Sequence, residues 1–182
     1  MRWRVLTFLL LITQPLSAGE VDHLTVQYEK GIYHLDLDAV IDAEQPAIWA
    51  IVTDYDHLDR LNEIFAESNI LMQEDSKIKR RILIKACILF FCIESRLVED
   101  VVESDNKLIL AVVDMTQSDF HSGTSHWQVL PEGKNQTRIL LQSRIEPAFW
   151  IPPIIGPILI KHKLHSAARQ TIKNLELIAV DG

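Results

Sequence analysis

FWIPPIIGPILIKHKL, Phe149 to Leu164, is the most apolar internal segment of the chain, and three prolines interrupt it. Such a run is a membrane span, a buried strand, or the start of a helix that closes over something oily. Its apolar core falls well short of the roughly 20 residues a transmembrane helix needs. Pro152 and Pro153 can neither continue a strand nor sit inside a helix. The third reading survives. Gly156-Pro157 forms the hinge and first turn of a helix, where proline is well tolerated, and Ile158 and Leu159 begin its inward face. Beyond Pro157 the period stays helical to the end. Leu164, Ala167, Ala168, Ile172, Leu175, Ile178 and Ala179 fall on one stripe, and Lys161, Lys163, Arg169 and Lys173 lie mainly off it. The residues before the hinge (Phe149, Trp150, Ile151, Ile154, Ile155) read as a rigid apolar gate.

Working back from this helix, residues 66–146 read as strand after strand. The segments ESNILMQ, KIKRRILIKACIL, CIESRLVEDVVES, KLILAVVDM, GTSHWQVLPEG and TRILLQSRIEP are separated by breaks rich in Asp, Ser, Asn and Gly. That spacing suits hairpins of one antiparallel sheet. Upstream, GIYHLDLDAVID (31–42) alternates as a half-buried strand does. AEQPAIWAIVTDYDHLDRLNEIF then changes period: Pro46 suits a first helical turn, Ile48, Trp49, Ile51 and Val52 recur at helical spacing, and HLDRLNEIF forms a second short helix. Strands gathered in a block with helices at the ends mark an α+β domain. The only element long enough to cover the sheet's apolar face is the terminal helix.

At 182 residues the chain fits one domain. Residues 1–19 have the build of a secretory signal peptide: Arg2 and Arg4, a short apolar run from Val5 to Ile12, and small residues Ser17-Ala18-Gly19 for cleavage. The expectation is an exported protein, periplasmic or secreted, with a single domain over 20–182. Losing the two arginines moves the formal charge from −7 to −9. So acidic a domain lacks the basic face that nucleic acid requires.

The words AIWAIVTDYDHLDRLN (47–62), RLVEDVVES (96–104) and FHSGTSHWQVLPEGKNQTRILL (120–141), followed by the terminal helix, are carried in this order along nearly all of the mature chain. In this the chain resembles the START-like superfamily of polyketide cyclase/dehydrases and lipid-transfer proteins (SRPBCC), above all its coenzyme-Q-binding branch. The resemblance implies a helix-grip fold, a curved antiparallel sheet around a long C-terminal helix with an apolar cavity between them. It further implies a lipid, sterol, quinone or polyketide as the occupant.

The expected function is therefore an exported carrier of a hydrophobic small molecule, without a cofactor or a catalytic residue, that makes transient contact with a membrane surface. Residues for the cavity wall or gate are Trp49, Tyr55, Phe90, Phe91, Trp127, Phe149, Trp150, Ile154, Ile155, Ile158 and Leu159. The alternative is a cyclase/dehydratase-type enzyme on a polyketide-like substrate, working through Asp54, His57 or Tyr55 at the cavity mouth. Against it, TDYDHLD also reads as a solvated bend. His162 and His165 sit one helical turn apart but lack a third ligand, so no metal site is expected. Cys87 and Cys92 would be roughly 16 Å apart on one extended strand, and a disulfide needs Cα atoms within about 7 Å. They bridge only if Ile88–Phe91 turn, and Ile-Leu-Phe-Phe is poor turn chemistry. A bridged hairpin and two structural thiols both stay open.

Overall fold

The computed structural model describes residues 20–74, 77–88 and 91–181. The segment 1–19 read as a signal peptide lies outside them. So does Phe90, and of Phe91 only the backbone is described.

Eight strands form one antiparallel sheet: β1 (Glu20–Glu29), β2 (Ile32–Ile41), β3 (Phe65–Glu74), β4 (Lys77–Ile88), β5 (Phe91–Ser104), β6 (Leu108–Val113), β7 (Phe120–Glu132) and β8 (Gln136–Pro147). Their order across the sheet is β1-β2-β8-β7-β6-β5-β4-β3. Between β2 and β3 lie helix α1 (Gln45–Val52) and one 3-10 turn, Leu58–Leu61. The chain ends in α2 (Gly156–Asp181), 26 residues long. This is the helix-grip arrangement, the curved sheet closing around α2.

One strand escaped the sequence reading. In β1 the pairing with β2 shifts between Val21 and His23. That bulge moves Val21 and Leu24 out of a strict alternation, so the period-2 signal fades. The prediction of a six-strand block after the short helices is met by β3 to β8.

Inward-facing residues of every strand build the core. Ala39, Ile41, Ala111, Val129 and Ile139 from the sheet and Ile172 and Leu175 from α2 are almost fully buried. α1 closes one end of the sheet, burying Ile48, Ile51 and Val52 against this core. At the other end, Asp119 N donates to Arg96 O (2.8 Å) and Ala148 N donates to Asp119 O (3.1 Å). These bonds continue the ladder past β6, so the loop leaving β8, the loop entering β7 and the tip of the β4–β5 hairpin share one end of the sheet.

Cys87 and Cys92 are register partners across that hairpin and form a disulfide, with Cα atoms 4.0 Å apart. Of the two readings left open, the bridged hairpin is the one found. The β4–β5 ladder sets the two cysteines opposite each other, although Ile-Leu-Phe-Phe is poor turn chemistry. Chain entropy for so short a loop limits its contribution to about 2 kcal/mol. Cys87→Ala/Cys92→Ala should therefore lower the unfolding free energy in urea by about 1–2 kcal/mol and no more. A larger loss would mean that the hairpin does not form without its bridge.

Candidate functional site

Between the sheet and α2 lies a cavity of about 210 Å³. Alternation along the strands selects its wall. Leu35 and Leu37 of β2, Ile82 and Ile84 of β4, Leu97 of β5, Ile109 of β6, Trp127 of β7 and Leu141 and Ile145 of β8 all point inward. α2 contributes Leu164, Ala167, Ala168 and Thr171, and the bend after α1 contributes Leu58, Leu61 and Ile64. The two alanines keep the helix from filling the space beneath it. Leu35, Phe65, Ile84, Ile145 and Leu164 are half-buried, whereas Ile109, Ile82 and Leu61 are sealed. The cavity therefore opens toward the end of the sheet where α2 begins.

Two polar features interrupt this wall. Arg80 of β4 and Glu99 of β5 are register partners, both buried, 7% and 3% exposed. Arg80 Nε and Nη2 both donate to Glu99 Oε2, at 3.0 and 2.8 Å. Oε1 receives neither of them. The guanidinium also lies 4.8 Å from the centre of the Tyr55 ring, an attractive cation–π geometry. On the facing strands, Ser125 and Ser143 are paired in register, and their hydroxyls are 3.1 Å apart.

The helix is held over the cavity by buried Asn62. Its amide donates to Ala167 O (2.7 Å) and to Thr171 Oγ1 (2.9 Å), while its carbonyl accepts from Ile64 N (3.2 Å). Asn174 adds a bond from α2 to Leu61 O at 3.0 Å. The lid is thus clamped to the bend through its middle turns. One turn before Ala167, Lys163 Nζ also donates to Glu63 Oε1 of the bend at 3.0 Å.

Residues 41–166 match the family model described as polyketide cyclase/dehydrase and lipid transport. The chain belongs to this family. No curated protein matches it. Among solved structures, a Thermus thermophilus protein is 18% identical over 81% of this chain and 97% of its own, with a TM-score of 0.66. The Zhui aromatase/cyclase of a Streptomyces species is 9% identical over 82% and 94%, with a TM-score of 0.68. A START superfamily protein of Mycobacterium smegmatis is 18% identical over 81% and 97%, with a TM-score of 0.63. Identities this low carry the fold alone.

Within this member of the polyketide cyclase/dehydrase and lipid transport family, the residues singled out from the sequence are scattered. Trp127 stands on the cavity wall. Trp49 is half-buried on the flank of the core and Phe149 packs edge-on against Phe120, ring centres 5.8 Å apart. Tyr55 is buried beneath Arg80, bordering a separate polar groove with Gln73, Glu103 and Asn106. Burial pushes its phenol well above the ordinary range, against the opposing pull of Arg80. Trp150, Ile154, Ile155 and Ile158 are exposed, at 70%, 86%, 61% and 65%. Leu159 is half-buried and does not line the cavity. The expectation that Ile158 opens the inward face is corrected. Six positions before Leu164 places it about 120° away around the helix.

The Asp54–His57 pair is real but superficial. His57 Nδ1 lies 2.9 Å from Asp54 Oδ1, Arg60 Nη2 donates to Asp54 Oδ2 at 2.7 Å, and the His57 side chain is 66% exposed. The hydrogen bond and charge of Asp54 raise the His57 pKa. Neither residue lines the cavity. Among the described residues no group of His, Cys, Asp and Glu is placed to hold a metal ion.

Reasoning from sequence missed Arg80, Glu99, Asn62 and the two serines. The signal for the first pair was present. In KIKRRILIK, Arg80 has the same phase as inward Ile82 and Ile84, and in RLVEDV Glu99 has the same phase as Leu97 and Val101. Two opposite charges at core phase on neighbouring strands mark a buried pair.

Proposed function

We propose that the protein is an exported carrier that encloses a hydrophobic small molecule bearing one polar end, such as a lipid, quinone or isoprenoid. The observation that carries this reading is the apolar cavity under α2 whose wall is broken by the Arg80–Glu99 pair and the Ser125–Ser143 pair. A carboxyl, hydroxyl or carbonyl end can exchange hydrogen bonds with those groups, and each buried CH₂ contributes about 0.8 kcal/mol. At about 210 Å³ the space is smaller than the roughly 300–1,000 Å³ of ordinary ligand pockets. The polar end and first carbons of a ligand fit inside, and a long tail leaves through the mouth beside Leu164 or displaces the start of α2. Export rests on the basic, apolar and small-residue order of positions 1–19.

The test is native mass spectrometry and organic extraction of protein purified without detergent from the producing cells' exported fraction. A stoichiometric apolar compound, released chemically unchanged, supports a carrier. An empty protein that also fails to take up fluorescent fatty acids, quinones and isoprenols would sink the reading. The cyclase/dehydratase reading draws on the likeness to an aromatase/cyclase. It predicts instead that an offered polyketide-like substrate is released altered. Asp54 and His57, outside the cavity, are poorly placed to do that work.

A further inference from the structure

We infer that the loop before α2 and the first turns of that helix form a docking surface for an anionic phospholipid bilayer. Within nine residues, Trp150, Ile154, Ile155 and Ile158 expose 61–86% of their surface. No comparable run of exposed large apolar side chains occurs elsewhere among the described residues. The cluster is held as a rigid wedge. Gly156 N donates to Pro152 O (2.9 Å) and Leu159 N to Ile155 O (3.0 Å), and a Cβ at Gly156 would run into Ile151 and Pro152. Phe149 anchors the base against Phe120. Met115, 64% exposed, lies in the loop entering β7, at the same end of the sheet.

Charge identifies the partner. The whole chain carries −7, yet residues 147–175 hold four Lys or Arg and no Asp or Glu, and of the four Lys163 is paired with Glu63 at 3.0 Å. Ile158, Lys161, His162, Arg169 and Lys173 are all exposed along this helix. Lys161 and His162 come one turn after Ile158, about 5 Å up the helix axis. An apolar tip that sinks roughly 5–10 Å into the headgroup boundary therefore sets the Lys161 ammonium at the depth of lipid phosphates. The cavity opens at this same end, and Leu164 belongs to both the docking helix and the cavity wall. A ligand tail can thus pass between bilayer and cavity without crossing water.

The probes are vesicles of phosphatidylcholine alone and of phosphatidylcholine with phosphatidylglycerol, measured by flotation. The wild-type protein should float with the anionic vesicles and shift its Trp150 emission to the blue, a shift absent in Trp150→Phe. Ile154→Asp/Ile158→Asp should lower the partition coefficient at least about tenfold, and Lys161→Gln about fivefold on anionic vesicles only. Both alter exposed positions, so an unchanged melting curve verifies the fold. No flotation, equal flotation with neutral vesicles, or a double variant that floats like wild type would overturn the inference. So would a dimer in solution that the double variant abolishes while vesicle binding is absent, because the face would then belong to a second copy. A cavity-filled Ala168→Phe protein should still float, which separates failure here from failure of the carrier reading.

Discussion

Glu99→Leu should cost the fold about 3–5 kcal/mol in urea unfolding, the range seen when one partner of a buried ion pair is removed. The magnitude follows from where the pair sits. Arg80 is 7% exposed and sends two donors to one oxygen of Glu99. Without that oxygen the guanidinium has the Tyr55 ring as its remaining neighbour of note, and a ring face replaces little of the lost hydration. Arg80→Met/Glu99→Leu should recover most of the loss, because a matched apolar pair of similar volume is often as stable as the buried ion pair it replaces. The double variant then isolates function from folding. It should still take up a purely apolar probe and should lose affinity for a polar-ended one, at about tenfold for each 1.4 kcal/mol of hydrogen bonding removed. If Glu99→Leu costs under about 1 kcal/mol, the pair is hydrated in solution and cannot be the polar station of a closed cavity. If the double variant binds both probes as wild type does, the pair is structural.

Much of this architecture was legible in the residues. Proline pairs, strand-length alternation and the stripe from Leu164 to Ala179 place the sheet block, the hinge and the long helix, because backbone period and proline sterics are local. Helix phase is also local, yet Ile158, taken to begin the inward face because it is the first apolar residue after the hinge, faces outward. Counting back from Leu164 would have turned it outward. The cavity is a different kind of fact. It arises where Trp127, Ile109, Leu141 and Leu37, from four strands, share one row of the sheet, and strand register is not written in any one segment. The disulfide has the same origin. Spacing left Cys87 and Cys92 undecided until the β4–β5 ladder set them opposite each other.

Ala168→Phe should abolish ligand uptake while leaving the protein folded. Ala168 is 8% exposed, on the face of α2 that roofs the cavity, one position from Ala167, whose carbonyl Asn62 holds. A phenyl ring adds six carbons to a space of about 210 Å³. A ligand forced to withdraw that much apolar surface loses about 5 kcal/mol at roughly 0.8 kcal/mol per carbon, and even half of that is a loss of about sixtyfold. The cost to stability is smaller, about 1–3 kcal/mol for an overpacked core, and less where the ring enters empty space. Leu175→Ala provides the opposite control on the same helix. Leu175 is fully buried below the cavity, so truncation there should cost about 2–5 kcal/mol of stability and leave the roof of the cavity in place. Titration with a fluorescent fatty acid, alongside thermal melts, separates the two outcomes. Should Ala168→Phe bind as tightly as wild type, the ligand does not lie under α2. Should it be strongly stabilised and the wild type never acquire a ligand, the space is a packing defect and not a binding site.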